Sequence, residues 1–182
     1  MTPTTKRARA AKEPGTGEHR SAARLAAVQA LYEMDMVGAP ADAVLAEFLN
    51  KRWRLDADDA DKDGERDGPK NAGPAAPARP MIKPDAGWLD DLVRGVSGRL
   101  GELDGLIGPA LSGNLSLERI EALLRAILRA GTYELASKPE VPAEIIITEY
   151  LDVVHAFFDD KEARLVNGIL DHLARKLRAG EL

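Results

Sequence analysis

The sequence predicts an all-α protein of about seven helices, and three observations carry that expectation. Apolar residues recur every three or four positions in stretch after stretch, the spacing of one helix face. The chain is 45% hydrophobic but only 4% aromatic, so its core must be built from Leu, Ile, Val and Ala. Ala and Leu are the strongest helix formers among them. There is no credible strand. EIIIT, at 144–148, is the one β-branched run, and it is short and embedded in a helical period.

The elements follow in order. Residues 1–19 are rich in Thr, Pro, Gly and charge, without apolar periodicity, and read as a disordered basic tail. A helical domain then spans 20–178. Its first helix covers 20–37, with Leu25, Val28, Tyr32 and Met36 at helical spacing, and Gly38 and Pro40 end it. A second helix, 41–54, carries Val44, Leu45, Phe48 and Leu49. Composition breaks at 56–84, which is acidic and then Pro/Ala-rich. Its prolines forbid a regular helix, and so long a stretch inside a compact domain reads as a flexible insert.

From Asp85 the helical period resumes with Trp88, Leu89, Leu92, Val93 and Val96. Gly95, Gly98, Gly101 and Gly105 follow at three- and four-residue spacing. They follow no strand, so they are not a dinucleotide fingerprint; close helix contact or a break near Gly101 explains them better. A short helix bears Leu103, Leu106, Ile107 and Leu111. The core helix is expected at 116–135, capped by Ser116, with Ile120, Leu123, Leu124, Ile127, Leu128 and Leu135 as a broad apolar face. Pro142 suits the first turn of the next helix, which should run to about Phe158 and bury Ile146, Tyr150, Val153, Val154 and Phe157. The last, about 160–178, buries Leu165, Val166, Ile169, Leu173 and Leu177.

Composition narrows the function. With no Cys, disulfides, thiolate metal sites and cysteine nucleophiles are excluded. No apolar run reaches the roughly 20 residues of a membrane helix, and the N-terminus lacks the apolar stretch of a secretory signal. The formal charge of -5 argues against nucleic acid only until it is located. Between Asp56 and Gly68 stand seven carboxylates against Lys62 and Arg66, so that one stretch carries a charge equal to that of the whole chain. The remainder is near neutral, with basic clusters at both ends.

Catalysis needs an activated group and a partner, and neither is evident. His19 lies in the tail, and His155 and His172 sit on separate helices without an HExxH pattern. Neither a Walker motif nor a GxSxG elbow is present. The acidic run at 56–67 does not fit a calcium-binding EF-hand loop. A non-enzymatic protein with no metal or cofactor is expected.

Binding features are better. Lys6, Arg7, Arg9, Lys12, Arg20 and Arg24 can neutralise phosphates and release counterions. Lys161, Arg164 and Arg175 lie on the last helix opposite its apolar stripe, with Asn167 at their edge. Asn167 and Gly168 are poor helix formers in mid-helix. Close helix packing would explain them, and so would a ligand approaching the backbone.

The order of these features resembles the NusB family of bacterial transcription antitermination factors. The matching segments are ARLAAVQALYEMD (23–35), ELDGLIGPAL (102–111), LRAGTYEL (128–135), VPAEIIITEYLDVVHAFF (141–158) and RLVNGILDHLARK (164–176). The resemblance implies two packed helical subdomains. It implies a cytoplasmic protein that binds boxA RNA with the ribosomal protein NusE and then joins other Nus factors on RNA polymerase, notably in ribosomal RNA operons. Carried over, the RNA-binding residues are Arg20, Arg24, Gln29, Lys161, Arg164 and Asn167, helped by Lys6, Arg7, Arg9 and Lys12. Ser21 and Ala22 stand where a basic residue is common, which thins the patch. The NusE-facing residues are Tyr32, Glu118 and Leu124. Homodimerisation through the RNA face would compete with binding. Two other readings are the NusB-like domain of a ribosomal RNA cytosine methyltransferase and a helical adaptor that binds protein alone.

Overall fold

The computed structural model describes residues 15–49, 82–111, 113 and 115–181. Lys6, Arg7, Arg9, Lys12, positions 50–54 of the second expected helix and the expected insert up to residue 81 lie outside them. Seven α-helices and no strand occur among the described residues: α1 (Thr16–Val37), α2 (Ala41–Glu47), α3 (Ala86–Gly98), α4 (Leu100–Ile107), α5 (Ala122–Ser137), α6 (Ala143–His155) and α7 (Asp160–Leu177).

Local chemistry sets most boundaries. α1 starts four residues before the expected point, because the Glu18 carboxylate accepts the Gly15 N–H at 2.7 Å and closes the first turn. His19 is therefore helical. Gly38 ends α1 with φ 67°, a left-handed conformation glycine adopts without strain, and its N–H returns to the Met34 carbonyl at 2.9 Å. At α3, the Asp85 carboxylate accepts the Trp88 N–H at 3.0 Å, a cap worth about 1 kcal/mol. The break between α3 and α4 falls at Arg99, two residues before Gly101. Pro142 is the N-cap of α6.

The core helix begins later than expected. Residues 116–120 make a separate turn, in which the N–H groups of Arg119 and Ile120 both reach the Ser116 carbonyl. Glu121 is then extended (φ -52°, ψ 139°), and α5 starts at Ala122. The Arg125 guanidinium donates to the carbonyls of Leu117 at 3.0 Å and Ile120 at 3.4 Å. A side chain of α5 thus completes the turn that the helix does not continue.

α5 is the hub, packed against α1, α3, α4, α6 and α7. α1, α2 and α3 pack together on one side; α6 and α7 lie on the other, and α1 also touches α6. The two helical groups share one continuous hydrophobic core. Leu89, Leu92, Ile127, Leu128, Ile146 and Leu170 are fully buried in it, each stabilising by roughly 1.5–3 kcal/mol. Gly95 lets Tyr133 lie across α3, since a Cβ there would overlap the ring. On α1 the buried face is small: Ala23, Ala26, Ala27, Ala30 and Leu31, with Val28. Tyr32 and Met36 are exposed, and Phe157, expected inward, is exposed beyond the end of α6.

Arg178 closes the far end. It lies one residue past α7 and is buried. Its guanidinium donates to the carbonyls of Leu135 (2.7 Å), Val141 (2.5 Å), Glu134 (2.9 Å) and Lys138 (2.7 Å). The Glu134 and Lys138 carbonyls also take the N–H groups of Lys138 and Val141, whereas the Leu135 carbonyl, in the last turn of α5, faces Pro139, which has no N–H to offer it.

Candidate nucleic-acid interface

Arg20 and Arg24 are one turn apart on α1 and so share a side. Under them lies Trp88, at the start of α3. The guanidinium carbons of Arg20 and Arg24 stand 4.4 Å and 5.7 Å from the indole centroid, and Lys138 Nζ stands 4.8 Å from it. Each such contact is worth about 0.5–2 kcal/mol. Two of the three cations are neutralised. Lys138 is 2.8 Å from Asp91, and Arg24 is paired with two glutamates. Arg20 has no carboxylate partner among the described residues. Its Nε and the Trp88 Nε1 are buried without a hydrogen-bond acceptor, at a cost of about 1–3 kcal/mol each.

Arg24 is not a surface residue. It is 3% exposed. Its Nε and Nη2 reach the two Glu134 oxygens at 2.8 Å each, and Nη1 lies 3.1 Å from Glu149. The Tyr150 hydroxyl donates to Glu134 Oε1 at 2.9 Å. Burial alone would lower the Arg24 pKa; the hydrogen bond and charge of Glu134, with Tyr150 and Glu149, outweigh it and raise it. The geometry thus gives Arg24 a structural role, tying α1 to α5 and α6, instead of the expected phosphate contact. Gln29 is half-buried on α1, and Ser21 turns its hydroxyl to the Gly17 carbonyl at 3.1 Å.

The edge of the expected insert is also ordered. Pro84 is buried, His19 Nδ1 donates to the Lys83 carbonyl at 2.6 Å, and the Asp85 N–H reaches the His19 carbonyl at 3.0 Å. The segment leading into α3 is thus fastened beside Arg20, and residues 82–84 belong to the folded domain.

On α7, Lys161, Arg164 and Asn167 are exposed at three-residue spacing and share one side. Arg175 is occupied by Asp171 at 3.0 Å. Nothing lies within 4 Å of a Cβ built on Gly168, so close helix packing does not explain that glycine. His155 and His172 are exposed, and no group of three or more His, Asp or Glu able to hold a metal occurs among the described residues.

The residues expected to face a protein partner divide. Tyr32 and Glu118 are exposed, whereas Leu124 is 4% exposed and belongs to the core. Arg125 brings the first two to one edge. It pairs with Asp35, three residues beyond Tyr32 on α1, at 2.5 Å, while holding the Leu117–Ile120 turn that carries Glu118. The Ser116 hydroxyl and the Glu118 backbone amide lower the Glu118 pKa and favour its charged form. Beside this edge is a groove of about 250 Å³, lined among others by Met34, Asp35, Leu100 and Arg129.

Sequence reasoning took Trp88 for core and passed over Lys138. A tryptophan beginning a helix just after a Pro/Ala-rich break was the available signal for the first. Nothing local marks Lys138, whose role depends on α3 and α5 meeting.

Fold and edge together define a class: a small helical bundle that displays, on α1 and α7 around a shared core helix, cations without a carboxylate partner among the described residues. The chain belongs to the NusB family, whose sequence model matches residues 21–175. It is 41% identical over 163 residues to the transcription antitermination protein NusB of Rhizobium rhizogenes, covering 90% of each chain. To the protein of the same name from Nitrobacter hamburgensis it is 43% identical over 162 residues, covering 89% of each. Among solved structures, it matches NusB from T. maritima with a TM-score of 0.64 at 24% identity, covering 91% of this chain and 94% of that one. It also matches a structure of NusB and NusE in complex with double-stranded RNA, at a TM-score of 0.59 and 20% identity, covering 87% and 97%.

Proposed function

We propose that this protein is a cytoplasmic transcription antitermination factor. It binds boxA-type RNA together with the ribosomal protein NusE and then joins other Nus factors on RNA polymerase, notably at ribosomal RNA operons. One observation carries the RNA part of the reading: Arg20, Lys161 and Arg164 have no anionic partner among the described residues, while most other arginines are paired. The likeness to NusB proteins, and to a solved complex of NusB and NusE with double-stranded RNA, supports the choice of RNA and partner. Tyr32 and Glu118, on the edge that Arg125 holds together, are the residues of this chain assigned to NusE. Arg24 and Leu124 support their surfaces from inside.

The test is fluorescence anisotropy with labelled boxA RNA and a scrambled control, NusE present, across a salt series. The boxA RNA is expected to bind far more tightly. Replacing Arg20 and Arg164 together by Ala should weaken binding and lower the slope of log K against log salt by about 1.4, roughly 0.7 for each phosphate contact on a single strand. Equal binding of the two RNAs would sink the specificity. No RNA binding at all, with NusE still captured, would leave the protein-only adaptor.

A further inference from the structure

Most arginines with buried or half-buried side chains in this fold are held by carboxylates: Arg24 by Glu134, Arg99 by Glu102, Arg125 by Asp35 and Arg129 by Asp104. Arg178 is held by backbone carbonyls. Arg20 is held by an uncharged ring, the Trp88 indole at 4.4 Å. A carboxylate fixes a guanidinium but cancels its charge. An aromatic face fixes it and leaves the full positive charge available to a third party.

We infer that Trp88 is a positioning residue for the RNA interface: it holds the Arg20 guanidinium flat and un-neutralised, so that its terminal nitrogens meet an RNA phosphate. The inference rests on the RNA-binding reading above. Arg20 Nε is buried without an acceptor, so an anion must approach the two terminal nitrogens, which have no partner among the described residues. These form the edge that suits a phosphate bidentately.

Trp88 is itself immobilised. Its backbone N–H is capped by Asp85, and Lys138, anchored by Asp91, stands over the same ring. The contact between His19 and Lys83 fixes the preceding segment to the turn of α1 that carries Arg20. Arg20 therefore loses little side-chain freedom when it takes up a phosphate, because the fold has already restricted it.

The test is a double-mutant cycle on the full chain with NusE, read by anisotropy of boxA RNA against salt. R20A and W88L are each expected to weaken binding about 3- to 10-fold at low salt and to lower the salt slope by about 0.7. The pair R20A/W88L should bind no worse than R20A alone, because Trp88 acts through Arg20. W88F, which keeps an aromatic face, should bind within about twofold of the unchanged protein. Additive losses, or W88L binding like the unchanged protein while R20A is weakened, would overturn the inference and leave the RNA reading standing. Failure of the unchanged protein to bind any RNA would overturn both. Should W88L prove unfolded by circular dichroism, W53F decides, since it leaves Trp88 as the sole tryptophan. RNA is then expected to change the Trp88 emission, and R20A to abolish that change; an emission indifferent to RNA would refute the stack.

Discussion

Replacing Glu134 by leucine is expected to be among the most damaging single changes in the core. Glu134 is fully buried and receives two hydrogen bonds from Arg24 and one from Tyr150. Its loss leaves Arg24 with Glu149 alone, a partly exposed partner at 3.1 Å. Removing one member of a buried pair costs about 3–5 kcal/mol. In a chain of this length that lowers Tm by roughly 6–20 °C. Replacing both members, as R24M/E134L, removes the stranded charge. It should recover most of the loss, apart from the Tyr150 hydroxyl, whose missing acceptor costs about 1–3 kcal/mol; adding Y150F should recover part of that. Urea unfolding followed by circular dichroism measures all three. A loss below about 1 kcal/mol for E134L would refute the reasoning, as would a double variant less stable than the single one. The salt slope of RNA binding is a second check. It should be the same in the refolded double variant, because a buried Arg24 neutralises no phosphate; a slope lowered by about 0.7 would show that it does.

Other perturbations separate the remaining contributions. R178A should cost about 2–4 kcal/mol by stranding the Leu135 and Val141 carbonyls, seen as a shift in the urea midpoint; a change within about 0.5 kcal/mol would mean that water replaces the guanidinium without cost. G95A should destabilise by about 1–3 kcal/mol, because its Cβ meets Tyr133. G168A should stabilise by about 0.5–1 kcal/mol, its site being open and helical; differential scanning calorimetry distinguishes the two, and equal signs would contradict the packing. Burial and then the Glu134 charge raise the Tyr150 pKa well above its ordinary 10.0. The folded state thus keeps a proton that the unfolded state releases, and this stability is complete below pH 10 and lost as pH rises beyond it. Urea midpoints measured from about pH 9 to about pH 11 should fall less steeply in Y150F, and parallel curves would count against that linkage.

Much of this fold was legible because its signals are local. Gly38, Pro142 and the stripe from Trp88 to Val96 mark helix ends and faces through effects confined to a few residues. What failed depended on distance along the chain. Arg24 looked like part of a basic cluster, yet it stands four residues before Val28 and seven before Leu31, on the face those residues bury. That spacing was there to be read, but Arg24 was grouped with the RNA-facing cations; the folded chain buries it and pairs it with Glu134, 110 residues away. The start of α5 was misplaced because Ser116 caps a turn that Glu121 breaks, and no spacing rule separates a turn from a first helical turn. Met36 kept the helical period of α1 but lies outward, since the face of α1 that meets α5 is lined with alanine. The proposed RNA edge was half legible: the cations of α7 are exposed, opposite its apolar stripe, while the setting of Arg20 depends on an indole from another helix.

The bond between Arg24 and Glu134 also bears on how the protein is made. A ribosome adds about 5–20 residues per second, so α1 emerges roughly 5–20 seconds before its partner on α5 has been synthesised. Throughout that interval the nascent chain carries an unmatched guanidinium on a helix whose alanine-rich face offers little to bury. The helix that displays Arg20 thus waits on a residue 110 positions downstream before its buried charge is matched, and a folding factor acting during that wait would meet it unassembled.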